Sequence, residues 1–238
     1  MSTFHAPKLL TANRILAALP QQQYAHLFSN LQSVYLPRSR ILYELGDPIS
    51  YCFFIMSGMV SLLGVTEDGS AVEISMVGNE GVVGIPAVLR VNRAPCRIEV
   101  QIPGKAMRVR TELLLSEFLR GGPIHDMLLR YTHSLISQIS QSAACNRFHS
   151  TQQRLCRWLL ICQDRVRSDT LHLTQEALSH MLGATRTTVT AAATDLKKAG
   201  LIHYRRGSIE IIDRPGLQMT ACECYRIVTK ELGYLRAA

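Results

Sequence analysis

The chain has 238 residues, 47% of them apolar and 18% charged, a balance that supports a folded core and excludes a disordered or fibrous chain. Its formal charge of +8 and pI near 9.3 favour a polyanionic partner, nucleic acid ahead of an anionic membrane surface. Residues 150–238 hold 13 Lys/Arg against 8 Asp/Glu, and residues 1–149 hold 13 against 10. The odd number of cysteines, seven, and the lack of a signal-peptide pattern after Met1 predict free thiols in the cytoplasm.

Residues 9–31 read as helical, with Leu9, Leu10, Ile15, Leu16, Leu19, Leu27 and Leu31 apolar and Pro20 starting a second segment. From 33 to 110, short β-type runs alternate with turn signals such as Leu45-Gly46-Asp47-Pro48, Ser57-Gly58, Glu67-Asp68-Gly69, Gly78-Asn79-Glu80-Gly81 and Pro103-Gly104. Turns at such close intervals predict an all-β barrel or sandwich. The uncharged stretch Pro48–Thr66 is near a membrane-spanning length. It alternates around Ser57-Gly58, however, and reads instead as two buried strands joined by a turn. No membrane partner is expected.

Residues 111–148 turn helical, interrupted by Gly121-Gly122-Pro123. Beyond Pro123, Leu128, Leu135 and Ser142 recur at heptad spacing, as do Tyr131, Gln138 and Cys145. Either this helix packs on its own domain or Leu128, Tyr131, Leu135, Gln138 and Ser142 form a dimer seam. Residues 151–164 form another helix, with Leu155, Trp158, Leu159 and Cys162 on one face. A last helix is predicted over 215–234.

The most informative segment runs from Thr174 to Gly200. Thr174 can cap one helix, Gly183 permits a sharp turn, and Thr185 can cap a second. Leu178, Met181 and Leu182 face inward from the first; Val189, Ala193 and Leu196 do so from the second. Small Ser179, Gly183 and branched Val189 allow the close crossing of a helix-turn-helix. The second helix would enter the major groove by its N-terminal end, presenting Arg186, Thr187, Thr190 and Ala191 to base edges. Thr174, Thr185, Lys197, Lys198, Arg205 and Arg206 would meet phosphates. Ile202–Ile212 alternates about Arg205-Arg206-Gly207-Ser208, as a β wing would.

The run from Leu173 through Leu217 resembles the DNA-binding domain of the Crp/Fnr family of bacterial regulators. Tyr43-Glu44-Leu45-Gly46-Asp47, Phe53–Val60 and Gly81-Val82-Val83-Gly84 resemble that family's sensor, a cyclic-nucleotide-binding-like β-roll. The resemblance covers nearly the whole chain. It implies an α+β protein: an N-terminal β-roll (double-stranded β-helix) with flanking helices over 1–123, a dimerisation helix over 124–149, and a winged helix-turn-helix over 150–238. It also implies a cytoplasmic homodimer on a two-fold symmetric site in double-stranded DNA, with RNA polymerase as a further partner of an activator.

The departures from the family pattern shape the expectations. Members that bind cyclic AMP use Gly-Glu for the ribose and, about ten residues on, Arg-Ser or Arg-Thr for the phosphate. Here Gly84 is followed by Ile85, and the later pair falls at Pro95-Cys96, with Arg97 displaced by ~6–7 Å along the strand. Cyclic AMP in its usual mode is therefore not the expected effector. An effector pocket at Val83, Gly84, Ile85, Cys96 and Arg97, walled also by Val88 and Leu89, is expected to take an unnamed ligand. The family's oxygen-sensing branch holds an iron–sulfur cluster on N-terminal cysteines, and this chain has none before Cys52. Cys222 and Cys224, two apart on a predicted helix, would point to different faces and chelate poorly, so no metal or other cofactor is expected. Cys96, Cys145, Cys156 and Cys162 are candidates for oxidant sensing. At the positions after Arg186 where familiar members carry Glu and a second Arg stand Thr187 and Ala191, which predicts a different operator.

An enzyme is not expected. A metal cupin needs imidazole ligands, and no His lies between Leu27 and Ile124. Neither a phosphate-binding loop nor a nucleophile elbow occurs. The alternative of another class is a ligand-sensing or protein-interaction module whose C-terminal domain docks a partner rather than DNA. A steep salt dependence of DNA binding separates the two.

Overall fold

The computed structural model describes residues 12–205 and 207–233. Among these, residues up to Leu62, Met76–Ser134 and those from Leu232 form one compact unit; Leu63–Ser75 and Leu135–Glu231 form the other.

The first unit opens with α1 (Arg14–Ala18) and α2 (Ala25–Ser29). The expected helical stretch is thus two short pieces around Pro20, with residues 9–11 outside the described residues. Asn13, fully buried, explains the start of α1. Its side-chain oxygen accepts from the Ile15 and Leu16 N–H groups at 3.1 Å, and its amide donates to the Ile55 and Gly81 carbonyls at 2.9 and 2.8 Å. One side chain therefore satisfies two orphan helix donors and two strand-end acceptors.

Two four-stranded sheets follow. One has the order β1 (Gln32–Leu36), β8 (Gly104–Arg110), β3 (Tyr51–Ile55), β6 (Val82–Val83); the other has β2 (Ile41–Tyr43), β7 (Arg97–Ile102), β4 (Met59–Val65), β5 (Ala71–Val77). The register β3 to β8 runs antiparallel from Tyr51–Arg110 to Ile55–Ala106. Ser57-Gly58 does join two buried strands, but β3 and β4 belong to different sheets, so it is a crossing rather than a hairpin. Gly58 takes a positive φ of 79°. A Cβ there would meet the Ile102 and Pro103 backbone, and one on Gly104 would meet Ser57. The two crossings between sheets thus lie back to back, closer than any side chain would allow.

After α3 (Ile85–Val88) and α4 (Thr111–Leu119), Gly121 and Gly122 adopt positive φ and Pro123 opens α5 (Pro123–Phe148). Leu128, Tyr131, Gln138 and Ser142 are buried by the chain itself, so the seam proposed on these residues is incorrect. Gly81 leaves room for the Tyr131 ring in the first unit. In the second, Gln138 donates to Ser75 Oγ and accepts from Arg165 Nη2 at 2.7 Å. Heptad spacing marked the intramolecular face, Leu135 being only partly covered. The exposed stripe is instead Leu129, 44% exposed, Ile136, 58% exposed, and Ala143.

In the second unit, α6 (Thr151–Val166) begins at a capping box formed by Ser150 and Gln153. Leu155, Trp158, Leu159 and Cys162 are fully buried along it. Then come β9 (Thr170–Leu171), α7 (Gln175–Leu182), α8 (Arg186–Lys198), and the hairpin β10 (Ile202–Arg205) with β11 (Ser208–Ile211), which also pairs with β9. The predicted final helix is two helices, α9 (Arg214–Thr220) and α10 (Cys224–Gly233). Ala221, extended at φ −67° and ψ 153°, breaks the run.

Candidate nucleic-acid interface

Thr174 caps α7 through an acceptor bond from the Ala177 N–H at 3.1 Å, and Thr185 caps α8 through one from Thr188 N–H at 3.3 Å. Between them Gly183 adopts the left-handed conformation, φ 53° and ψ 44°. Val189, Ala192, Ala193 and Leu196 are buried, which fixes the rotation of α8 about its axis. Arg186, Thr187 and Ala191 are consequently exposed and Thr190 partly so, on one face of the helix.

That face continues through Thr194, Asp195 and Lys198, which with the four expected residues line one shallow concavity. Thr194 follows Thr190 by four and Arg186 by eight, so helical period alone would have found it. Thr190 Oγ1 donates to the Arg186 carbonyl at 2.7 Å. Thr185 Oγ1 lies 2.9 and 2.8 Å from the hydroxyls of Thr187 and Thr188.

Lys197 and Arg205 are exposed and line a second concavity with His203 and Glu210 at the base of the wing. Arg205 Nε donates to His203 Nε2 at 2.8 Å. Gly207, at φ 77°, turns the hairpin; Arg206 lies outside the described residues. Lys197, Lys198 and Arg205 therefore flank a leading turn that carries Arg186 among threonines, an arrangement suited to phosphate contacts around base-edge contacts.

Residues 153–220 match the sequence model of the Crp-like helix-turn-helix domain, and residues 33–120 match that of the cyclic nucleotide-binding domain. The chain belongs to the Crp/Fnr family. A global nitrogen regulator of Nostoc sp. is 22% identical over 85% of this chain and 95% of that relative. A CRP-like cAMP-activated global transcriptional regulator of Mycobacterium tuberculosis is 24% identical over 90% of this chain and 99% of that relative. The fold matches FixK2 from Bradyrhizobium japonicum with a TM-score of 0.70 at 16% identity, covering 81% of this chain and 98% of that one. The protein is a DNA-binding transcriptional regulator of the Crp/Fnr type. Among the described residues, no helix is long and apolar enough to cross a membrane.

In the cyclic nucleotide-binding domain, Val83 pairs with Phe53, and Gly84, at φ 107°, caps α3. A Cβ on Gly84 would abut Cys52 and Ile49. Val83, Ile85, Val88 and Cys96 are buried, whereas Leu89 is 48% exposed. Arg97 Nε donates to Glu44 Oε2 at 2.9 Å, so this guanidinium already has a carboxylate partner.

The cysteines are all buried. Burial pushes the Cys52 and Cys156 thiols up to about 12 and raises Cys162 well above its ordinary value. That makes Cys156 and Cys162 the weaker of the four candidates for oxidant sensing. Cys222 and Cys224 do not point apart, contrary to expectation. The break after α9 turns both thiols toward Cys145 and His149, and the four ligand atoms lie within 4.8 Å of one another.

Proposed function

We propose that this regulator works as a cytoplasmic homodimer on a two-fold symmetric operator, each α8 placing its first turns in a major groove. The observation that carries this is the exposure of Arg186, Thr187 and Ala191 on one face of a helix whose opposite face is locked by Val189, Ala192, Ala193 and Leu196. Arg186 supplies bidentate recognition of guanine; Thr187, Thr190 and Ala191 supply contacts to thymine methyls and polar base edges. Thr174, Thr185, Lys197, Arg205 and Arg206 contact phosphates and set affinity. In the functional division, residues 1–123 sense, 124–149 couple and pair, and 150–238 bind DNA. The exposed Leu129, Ile136 and Ala143 stripe of α5 suits pairing with a second copy. Half-sites then lie about 34–36 Å apart.

The effector is not cyclic AMP in the usual mode. Buried Ile85 offers no carboxylate to a ribose, and Arg97 is engaged by Glu44. The chain has no catalytic role in this reading, and an activating form also contacts RNA polymerase.

Selection of bound sequences from random DNA by the purified full chain tests the reading. A palindromic consensus with half-sites one helical turn apart is expected. Recovery of no enriched sequence, or of a single unpaired half-site, rejects the dimeric operator. Calorimetry with cyclic AMP is expected to give no micromolar binding.

A further inference from the structure

Cys145 lies in the last turn of α5, and the His149 N–H donates to the Cys145 carbonyl at 3.1 Å, carrying that turn just past the helix end. This four-residue spacing puts both side chains on one face. From 77 residues away in sequence, the turn between α9 and α10 brings Cys222 Sγ to 3.6 Å from Cys145 Sγ. Cys224 Sγ lies 3.4 Å from His149 Nδ1. Three thiols and an imidazole within 4.8 Å of one another are the donor set of a structural zinc site.

We propose that Cys145, His149, Cys222 and Cys224 bind a single zinc ion in a closed tetrahedral site. With Zn–S near 2.3 Å and Zn–N near 2.0 Å, the edges of such a tetrahedron are about 3.5–3.8 Å. The observed separations of 3.6 and 3.4 Å already match. An iron–sulfur cluster needs its ligands spread around several irons, and these four are too close together for that. Three sulfurs and one nitrogen in a tetrahedron suit zinc among the common metals.

The surroundings are those of a metal site. His149 Nε2 lies 3.3 Å from Glu223 Oε2, which fixes the ring so that Nδ1 faces the thiols. Gln141 Nε2 donates to Cys224 Sγ at 3.0 Å. Zinc with three thiolates carries a net charge of −1, and the buried guanidinium groups of Arg154 and Arg157 act electrostatically on Cys145. Binding moves three protons from the thiols to solvent and leaves Nε2–H donated to Glu223. With four protein ligands there is no open position for a substrate, so the role is structural. The ion ties α10 to the end of α5, where the chain breaks before α6.

The full chain, purified under reducing conditions without chelators, is expected to carry about one zinc per chain. After exchange, cobalt should give the intense visible bands of a tetrahedral site together with thiolate charge transfer. Zinc should bind with Kd of about 10 nM or tighter. Cys222→Ser and Cys224→Ser should each weaken binding at least a hundredfold, Glu223→Gln about tenfold, and Cys52→Ser not at all. Should the serine variants not fold, the wild-type cobalt spectrum and its loss to a chelator decide the question. Chelation should speed amide exchange in residues 221–233 ahead of α6. Metal-free reduced protein without a tetrahedral cobalt spectrum overturns the proposal. So does iron with inorganic sulfide, a Cys145–Cys222 disulfide in protein kept reduced, or a cobalt spectrum unchanged in a folded Cys222→Ser variant.

Discussion

Arg186 Nη2 lies 2.6 Å from Glu176 Oε1, an ion pair joining the first turns of α7 and α8 with both side chains more than 60% exposed. The guanidinium assigned to base recognition is therefore held by a carboxylate that DNA would have to displace. Glu176→Ala should raise affinity a few-fold at all sites, by freeing Arg186 and removing an anion from a surface that approaches phosphates. Arg186→Ala should weaken preferred sites about tenfold to a hundredfold and flatten discrimination at one base pair. Mobility shifts over a salt series measure both, and an unchanged preference in Arg186→Ala contradicts the assignment.

Lys197→Ala and Arg205→Ala should weaken specific and random DNA alike, each lowering the slope of log K against log salt by about one. A sequence-selective effect would assign these residues to the bases instead.

The dimer assignment separates two faces of α5. Ile136→Glu should halve the mass in sedimentation while leaving the fold intact, because Ile136 is exposed. Gln138→Leu should leave the mass unchanged and lower the melting temperature, because it removes buried bonds to Ser75 and Arg165. Dissociation by the second variant and not the first would restore the original heptad face.

Trp158 is the only tryptophan. It is fully buried, and its Nε1 donates to Glu73 at 2.9 Å. Its emission should be blue-shifted in the native state and report unfolding directly. Glu73→Ala leaves a buried indole N–H without its acceptor and should cost about 1–3 kcal/mol in denaturant melts.

Thiol labelling at pH 8 checks the cysteine assignments. With the Cys52 and Cys156 thiols held up near 12, both remain protonated and covered, so they should react only on unfolding. Rapid native labelling of either would show that its packing opens.

Turn and cap residues made much of this architecture readable. Thr174, Gly183 and Thr185 are local devices, and a local device can be read without knowing the fold. The strand runs were equally clear, but not their partners: Ser57-Gly58 looks like any hairpin turn, yet β3 pairs with β8 and β4 with β7, strands far along the chain that lie in different sheets. The α5 heptads failed for a related reason. Periodicity reports that a face is covered, not whether this chain or a second copy covers it. Cys222 and Cys224 were misjudged because a helix was assumed through Ala221; once that break is allowed, the four-residue step from Cys145 to His149 becomes a signal.

The threonines at the start of α8 have a consequence for how targets are recognised. With Thr190 bonded to its own helix, and Thr185 bonded to both Thr187 and Thr188, three of the four hydroxyl hydrogens are engaged within the protein, which leaves the threonine methyl groups as much of what the helix offers to base edges. Such a surface rewards dry fit over exchange of partners with water. Replacing thymine by uracil in an operator, a change silent to base pairing, should then cost this regulator more than it costs one that reads with charged side chains.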